Sequence, residues 1–371
     1  TDLGMPQLAL TLTDSVTRSG DTLGADHPST LASRNNLAGA YRDAGRIDEA
    51  IALYEQNLED RTRILGPHHP HTLTSRNNLA VTYRDAGRID EAIALHEQNL
   101  EDRTRILGPH HPHTLTSRNN LAVTYQDAGR IDEAIALHEQ TLKDRTRILG
   151  PHHPNTLSSR NNLAGAYQAA GRLDEAIALF EQTLEDSTRI LGPHHLTTLI
   201  SRNSLAGAYQ DAGRIDEAIA LHEQTLKDRT RILGPHHPNT LISRNNLAYA
   251  YQAAGRLDEA IPLFEQTLED STRILGPHHP DTLSSRNNLA YAYQAAGRLD
   301  EAIPLFEQTL KDRTRILGPH HPDTLSSRDN LAGTYRAAGR FEDAEKLFET
   351  PSDSEDEQDG TEDNLDQEAG N

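Results

Sequence analysis

The sequence predicts an all-α protein, an α-solenoid of eight antiparallel helix-turn-helix units. The tripeptide Ala-Gly-Arg recurs at a constant interval of 42 residues, and its glycines number the units 1 to 8 in this order: Gly45, Gly87, Gly129, Gly171, Gly213, Gly255, Gly297 and Gly339. Only 35% of the residues are hydrophobic and only 4% are aromatic. This hydrophobic content is low for a single core in a chain of 371 residues, but it suffices for a repeat array in which each unit buries only its interface with its neighbours.

Each unit is predicted to start with a helix, helix A, which in unit 1 runs from about Ser29 to Ala44. Pro28, whose φ angle is fixed, favours a helix start, and Asp26 is the expected N-cap. Gly45 is expected to end helix A, because glycine readily adopts the left-handed conformation found at helix C-termini.

The second helix of each unit, helix B, is predicted to start in unit 1 near Asp48 and Glu49, whose charges suit the positive end of a helix. It should end at about Leu65, since a Gly-Pro pair follows and proline cannot continue a helix. An apolar stripe along helix B faces a matching stripe on helix A, so the two helices are expected to pack together.

Two units carry a proline inside helix B, Pro262 in unit 6 and Pro304 in unit 7. Proline is tolerated in the first turn of a helix, where the amide has no partner in any case. The two prolines therefore predict that these helices start near Leu257 and Leu299.

Three regions follow from the repeat. Residues 26–350 are predicted to form the eight repeats, and residues 1–25 a degenerate half-repeat, because Leu23-Gly24 aligns with Leu65-Gly66. This half-repeat is either an N-terminal cap or the cut end of a longer array. Residues 351–371 hold nine acidic residues and no basic residue, and we expect a disordered acidic tail. The chain starts with Thr1 rather than Met, so we expect it to be part of a longer protein.

Charge and composition exclude several function classes. The formal net charge of −20 argues against binding to nucleic acid or to an anionic membrane surface. No apolar run is long enough to span a bilayer, and there is no cysteine, which is compatible with a cytoplasmic location. The sequence contains no phosphate-binding loop and no nucleophile motif, and we predict neither enzymatic activity nor a cofactor.

The 20 histidines raise the question of a metal site. Most lie in His-His-Pro segments between units, and loops one repeat apart are separated by about 10 Å, the helix packing distance. Zinc requires ligand atoms about 2 Å from a single ion, so we predict no metal site. His96, His138 and His222 take the helix B position of Tyr54, and we expect them to be partly buried spacers.

The repeat resembles a tetratricopeptide repeat of the kinesin light chain subtype over residues 23–349. The resemblance rests on the 42-residue period, on Asn-Asn-Leu-Ala in helix A, on Leu-Gly-x-x-His-Pro between units, and on Leu37, Ala38, Tyr41, Gly45, Ala50 and Tyr54. It implies a right-handed superhelix with the A helices on the concave surface. It also implies that this surface binds a protein or peptide segment and that the protein has no catalytic activity.

The sequence departs from the family pattern at two positions. Only unit 1 keeps the aspartate before His-Pro, at Asp26; the other units have a second histidine, such as His68, which leaves the capping of their A helices open. Arg34 and its copies occupy a helix A position that is usually apolar. We expect the aliphatic part of this side chain to pack in the core while its guanidinium reaches a carboxylate.

The second asparagine of each Asn-Asn pair is the leading candidate for ligand binding. Asparagine is a poor helix former, yet it recurs in the middle of helix A, and its amide can both donate to and accept from an extended peptide backbone. The alternative is that the pair bonds between neighbouring A helices, and both roles stay open. The predicted ligand-binding asparagines are Asn36, Asn78, Asn120, Asn162, Asn246, Asn288 and Asn330.

Variation between units is concentrated on the predicted concave face. The position of Gly39 is tyrosine in units 6 and 7, and Tyr249 and Tyr291 are predicted to form the strongest binding patch. The alternative is that both rings pack into the neighbouring A helix. Arg42 and Arg84 are also included in the predicted site, although they give units 1 and 2 a charged and better solvated surface. The favoured function is a protein-interaction scaffold, for example the sensor arm of a larger regulatory protein. The alternative is an architectural spacer or self-associating rod.

Overall fold

The computed structural model describes residues 22–348, and all the regular secondary structure in that part of the chain is helical. The A helices are α1 Pro28–Asp43, α3 Pro70–Asp85, α5 Pro112–Asp127, α7 Pro154–Ala169, α9 Leu196–Asp211, α11 Pro238–Ala253, α13 Pro280–Ala295 and α15 Pro322–Ala337. The B helices are α2 Ile47–Leu65, α4 Ile89–Leu107, α6 Ile131–Leu149, α8 Leu173–Leu191, α10 Ile215–Leu233, α12 Leu257–Leu275, α14 Leu299–Leu317 and α16 Phe341–Lys346. The prediction of an all-α solenoid is confirmed.

Two predicted regions lie largely or wholly outside the described residues. Most of the expected N-terminal cap falls before residue 22, and all of the expected acidic tail falls after residue 348. Each A helix packs against helix B of its own unit and, from unit 2 onwards, also against helix B of the preceding unit. Neighbouring A helices also contact one another directly at several junctions, and this places them on the inner side of the solenoid curve.

The N-caps of the A helices differ from the prediction. In unit 1 the cap is His27, whose Nδ1 accepts a hydrogen bond from the backbone N–H of Ser29 at 3.2 Å. The same histidine caps helix A in the other seven units. The expectation that Asp26 is the cap was wrong, because its carboxylate instead accepts hydrogen bonds from Arg63 at 2.6 and 3.0 Å.

The turn from helix A to helix B is a Schellman motif. The N–H of Arg46 donates to the carbonyl of Tyr41 at 2.8 Å, and the N–H of Gly45 donates to the carbonyl of Arg42 at 3.0 Å. This geometry requires a positive φ at the glycine, which is 74° at Gly45. The Arg46 guanidinium lies 4.1 Å from the centre of the Tyr41 ring, and the arrangement recurs at every turn described.

Pro262 and Pro304 lie deeper in their helices than predicted. The helices start at Leu257 and Leu299 as expected, but each proline is the sixth residue and therefore lies in the second turn. The prediction that each proline lies in the first turn was wrong. Pro262 is on the exposed side of α12, so the carbonyl that loses its amide partner there is open to water.

The expected packing of the helix A arginine is confirmed. The Arg76 side chain is only 6% exposed, and its Nη1 donates to Asp102 on helix B of the same unit at 2.6 Å. Burial raises the pKa of Asp102, but hydrogen bonds from Arg76 and Arg105 outweigh that effect, so the pKa is below its usual value. The same pairing joins the two helices in six further units.

Candidate functional site

The predicted asparagines form a ladder between neighbouring A helices. The amide nitrogen of the second asparagine in one unit donates to the amide oxygen of the first asparagine in the unit before it. Asn120, for example, donates to Asn77 at 2.9 Å. The other rungs run from Asn78, Asn162, Asn246, Asn288 and Asn330, at donor–acceptor distances of 2.8 to 3.5 Å.

The ladder changes what these side chains can offer to a partner. The amide N–H of the second asparagine is used within the scaffold, while an amide oxygen can accept a further hydrogen bond through its second lone pair. Asn36 belongs to the first unit and is exposed. Sequence reasoning left the ladder and the binding role equally open. The ladder is present, and the binding role of these residues stays a prediction.

The ladder is interrupted between units 4 and 5, where Ser204 replaces the second asparagine. Asn161 turns its amide nitrogen towards the Ser204 hydroxyl at 3.4 Å, and its buried amide oxygen has no hydrogen-bond partner within residues 22–348. Gly165 and Gly207 leave a hollow of about 300 Å³ beside it, with the Phe180 ring in its lining. The concave face therefore has a polar-rimmed depression at this junction.

The two groove tyrosines are anchored on the helix B of their own unit. Tyr249 meets the Phe264 ring edge-to-face at 5.2 Å between ring centres, and Tyr291 meets Phe306 at the same distance. Tyr249 remains 38% exposed. Burial raises the pKa of both phenols above the usual value. These rings are thus held by a rigid floor while part of Tyr249 is open to the groove.

Arg42 and Arg84 belong to a row of alternating charges. Arg42 Nη2 lies 3.2 Å from Asp43, and its Nε lies 4.0 Å from Asp85 in the next unit. Arg84 continues the row, at 3.1 Å from Asp85 and 3.6 Å from Asp127. Both arginines also line a cavity of about 680 Å³ whose opposite wall comes from units 7 and 8. Sequence reasoning could not foresee this contact between distant units.

The three helix B histidines are more buried than expected. His96, His138 and His222 are at most 2% exposed, so the expectation of partial burial was wrong. Burial lowers the pKa of each to about 4. His138 and His222 hydrogen-bond to Gln126 and Gln210 of helix A at 3.0 and 2.9 Å.

His96 differs from these two because its unit has Arg84 in place of that glutamine. Neither ring nitrogen of His96 has a hydrogen-bond partner in the described part of the chain. The same holds for the amide groups of Asn57 and Asn99, which are fully buried in α2 and α4. Sequence reasoning missed these two asparagines, although five later units have threonine at this position.

No group of three or more histidine, aspartate or glutamate side chains within residues 22–348 is arranged to hold a metal ion. None of the helices described there is long and apolar enough to cross a membrane.

The fold and the groove define a class of protein, the α-solenoids built from repeated helical hairpins. The chain belongs to the tetratricopeptide repeat family, whose model matches residues 29–101, 75–145, 121–189, 158–229, 198–272, 243–313 and 281–350. Its units are of the kinesin light chain-like type. The search of curated proteins gave no match.

Several solved structures are similar to the chain. The "kinesin light chain nearly identical TPR-like repeats" of Podosopora anserina are 39% identical, with 55% of this chain and 97% of that chain covered and a TM-score of 0.48. BtubC of P. vanneervenii is 22% identical, covers 62% of this chain and 93% of its own, and has a TM-score of 0.51. The apo form of RapI is 10% identical, with 74% and 94% covered and a TM-score of 0.53. The last two likenesses concern the fold alone.

Proposed function

We propose that the chain is a protein-interaction scaffold that binds an extended segment of a partner protein in its concave groove. The observation that carries this proposal is the pair Tyr249 and Tyr291, one repeat apart, each braced edge-to-face by a buried phenylalanine. A ring that is already fixed loses little entropy when a partner packs on it, and tyrosines of this kind are frequent hot spots of interfaces. Within a longer protein the array would act as a sensor arm.

The partner should be an extended segment with an apolar side chain that packs between the two rings. Repeats lie about 10 Å apart and an extended peptide advances about 3.3 Å per residue, so about three peptide residues span one unit. A segment of about six residues would reach across both tyrosines. The oxygens of the asparagine ladder would accept hydrogen bonds from its backbone N–H groups.

The test is a selection of short peptides from a displayed random library against the whole chain, followed by affinity measurement with the selected sequences. The double variant Tyr249→Val, Tyr291→Val uses the residue that units 2 and 3 have at this position, so it should fold normally. Each substitution should weaken binding by about 1–2 kcal/mol. A control outside the groove is Lys143→Ala, an exposed residue on helix B of unit 3, which should leave affinity unchanged.

The alternative is an architectural spacer, and the ladder of asparagine amides favours it because those donors are used inside the scaffold. Under this alternative the library yields no peptide whose affinity depends on the two tyrosines. Sedimentation would instead show concentration-dependent association of the chain with itself if the array is a self-assembling rod. Selected peptides that bind the double valine variant as tightly as the natural chain would refute the groove proposal.

A further inference from the structure

The superhelix returns on itself, so that units 1 and 2 contact units 7 and 8. His279, the cap of α13, donates a hydrogen bond from Nε2 to the backbone carbonyl of Asp43 at 3.1 Å. Its Nδ1 accepts from the N–H of Asp281 at 3.2 Å, so one ring serves both as a helix cap and as a link between distant units. These residues are separated by 236 positions in the sequence.

The surfaces in contact fit closely. A Cβ atom added to Gly45 would lie 2.3 Å from Cδ of Pro280, which is closer than real Cβ atoms approach any neighbour. The next unit repeats the pairing with a shift of one repeat, because a Cβ on Gly87 would lie 3.8 Å from Nε2 of His321. The turn of one unit therefore faces the histidine cap six units later, at two successive positions.

Other turns of the array do not have this contact. The glycines with the same backbone conformation in units 3 to 8 have no atom within 4 Å of an added Cβ; they are Gly129, Gly171, Gly213, Gly255, Gly297 and Gly339. The array thus contains its own controls, because turn glycines with the same φ angle occur both at the contact and away from it.

The contact borders a charged, partly open cavity at the N-terminal end of the groove. The cavity has a volume of about 680 Å³, and its walls carry Arg42, Arg84 and Val81 on one side and Asp281 and Arg313 on the other. Both signs of charge are present on the two walls.

We propose that the contact of units 1 and 2 with units 7 and 8 is a latch that closes the superhelix over the charged end of the groove. The glycine turn supplies a flat surface without a side chain, and the cap histidine supplies the hydrogen bond. A bulky partner segment enters this end only when the latch opens; this last consequence rests on the proposed binding function, whereas the latch itself does not.

The latch is tested by distance measurement between two spin labels. The chain has no cysteine, so Asp48→Cys and Ser284→Cys, on opposite walls of the cavity, give a unique label pair. With the natural glycine at position 45, the two labels should give a single short distance. Gly45→Ala should lose the short-distance population, while Gly213→Ala, with the same φ of +74° and open surroundings, should keep it.

A second pair of variants guards against a local folding defect in unit 1. His279→Asp keeps a good helix N-cap but removes the donor to the Asp43 carbonyl, and His237→Asp makes the same change in unit 6, at a cap that lies outside the contact. The first variant should lose the short distance and the second should keep it. Equal distance distributions in Gly45→Ala and Gly213→Ala, or in the two histidine variants, would overturn the proposal.

Access to the groove is measured independently with Val81→Cys, whose side chain lines the cavity. The readout is the reaction rate with a polymer-linked maleimide relative to N-ethylmaleimide, which corrects for intrinsic thiol reactivity. Adding Gly45→Ala should raise this ratio several-fold, and adding Gly213→Ala should not. If Gly45→Ala lost the short distance between the spin labels but left the ratio of reaction rates unchanged, the latch would stand and its control of access to the groove would be refuted. Failure to find any groove-binding peptide would affect neither measurement.

Discussion

Lowering the pH should destabilise units 2, 3 and 5 through their buried histidines. His96, His138 and His222 have pKa values of about 4 in the folded chain because burial disfavours the charged imidazolium, against 6.5 for an accessible histidine. Since the folded pKa is the lower one, the unfolded chain binds protons first. Stability is therefore lost as the pH falls below about 6.5, and the loss is complete below about 4.

The size of the effect follows from these two values. At about pH 5.5 each histidine should lower the free energy of unfolding by about 1.4 kcal/mol, and below about pH 4 by about 3 kcal/mol. The buried Arg–Asp pairs titrate in a separate window. The pKa of Asp102 lies below 3.8, so its contribution is kept above that pH and is lost only in stronger acid.

The assay is urea unfolding followed by circular dichroism at several pH values between about 7.5 and 5, with hydrogen exchange to locate the unfolding. The matched variant is His96→Phe, His138→Phe, His222→Phe, which installs the residue that units 4, 6 and 7 have at this position. It should remove most of the pH dependence in this window. Parallel pH profiles for the natural chain and the triple variant would refute the assignment to these histidines.

Two further predictions concern stability within single units. Asn57→Thr and Asn99→Thr should each raise the free energy of unfolding, measured by urea titration, by about 1–3 kcal/mol because each removes a buried amide without hydrogen-bond partners. A threonine at this position can donate to the carbonyl four residues earlier in the helix, as Thr141 does to Leu137. Hydrogen exchange should show residues 190–210 opening before the flanking units, because Ser204 breaks the ladder and Leu196 replaces the helix-starting proline; uniform protection would contradict this.

The local structure was largely predictable from sequence, because its signals are local. Helix B of unit 1 ends at Leu65 as predicted, and helix A runs from Pro28 to Asp43, within one residue of the prediction at each end. Glycine and proline fix these ends through their own backbone preferences. The cap was mispredicted because aspartate is the more frequent N-cap, whereas here the histidine next to the proline accepts the amide hydrogen bond.

The parts of the candidate site that involve more than one unit were harder to predict. The sequence shows an Asn-Asn pair, but whether an amide faces solvent or the next helix depends on the spacing of two A helices. The contact of His279 with Asp43 depends on a small rotation accumulated over six units, which no local pattern specifies. The burial of His96 likewise depends on how its own helix packs against the two neighbouring A helices, and its position within that helix alone does not reveal it.

The shape of the groove is set by a pair of positions, one on helix A and one on helix B. In unit 1 a Cβ atom added to Gly39 would lie 3.4 Å from the Tyr54 hydroxyl, so the helix B side chain fills the space next to the glycine. In unit 6 the shorter Phe264 leaves that space to Tyr249. We therefore expect a tyrosine at this helix A position to pack well over a phenylalanine on helix B and to be crowded by a tyrosine there.

This pairing predicts where the tyrosine platform can be extended. Unit 4 has Phe180 beneath Gly165, and an added Cβ at Gly165 meets nothing within 4 Å. Gly165→Tyr should therefore fold and be more stable by about 0.5 kcal/mol, because glycine is the poorer helix former. Gly39→Tyr should instead lose about 1–3 kcal/mol through overpacking against Tyr54, and Gly39→Tyr with Tyr54→Phe should recover it. Urea unfolding of the three variants measures these differences. If Gly39→Tyr proved as stable as Gly165→Tyr, the helix B residue would not decide which side chains fit at the Gly39 position. The interpretation that Phe264 holds Tyr249 in place would then also be refuted.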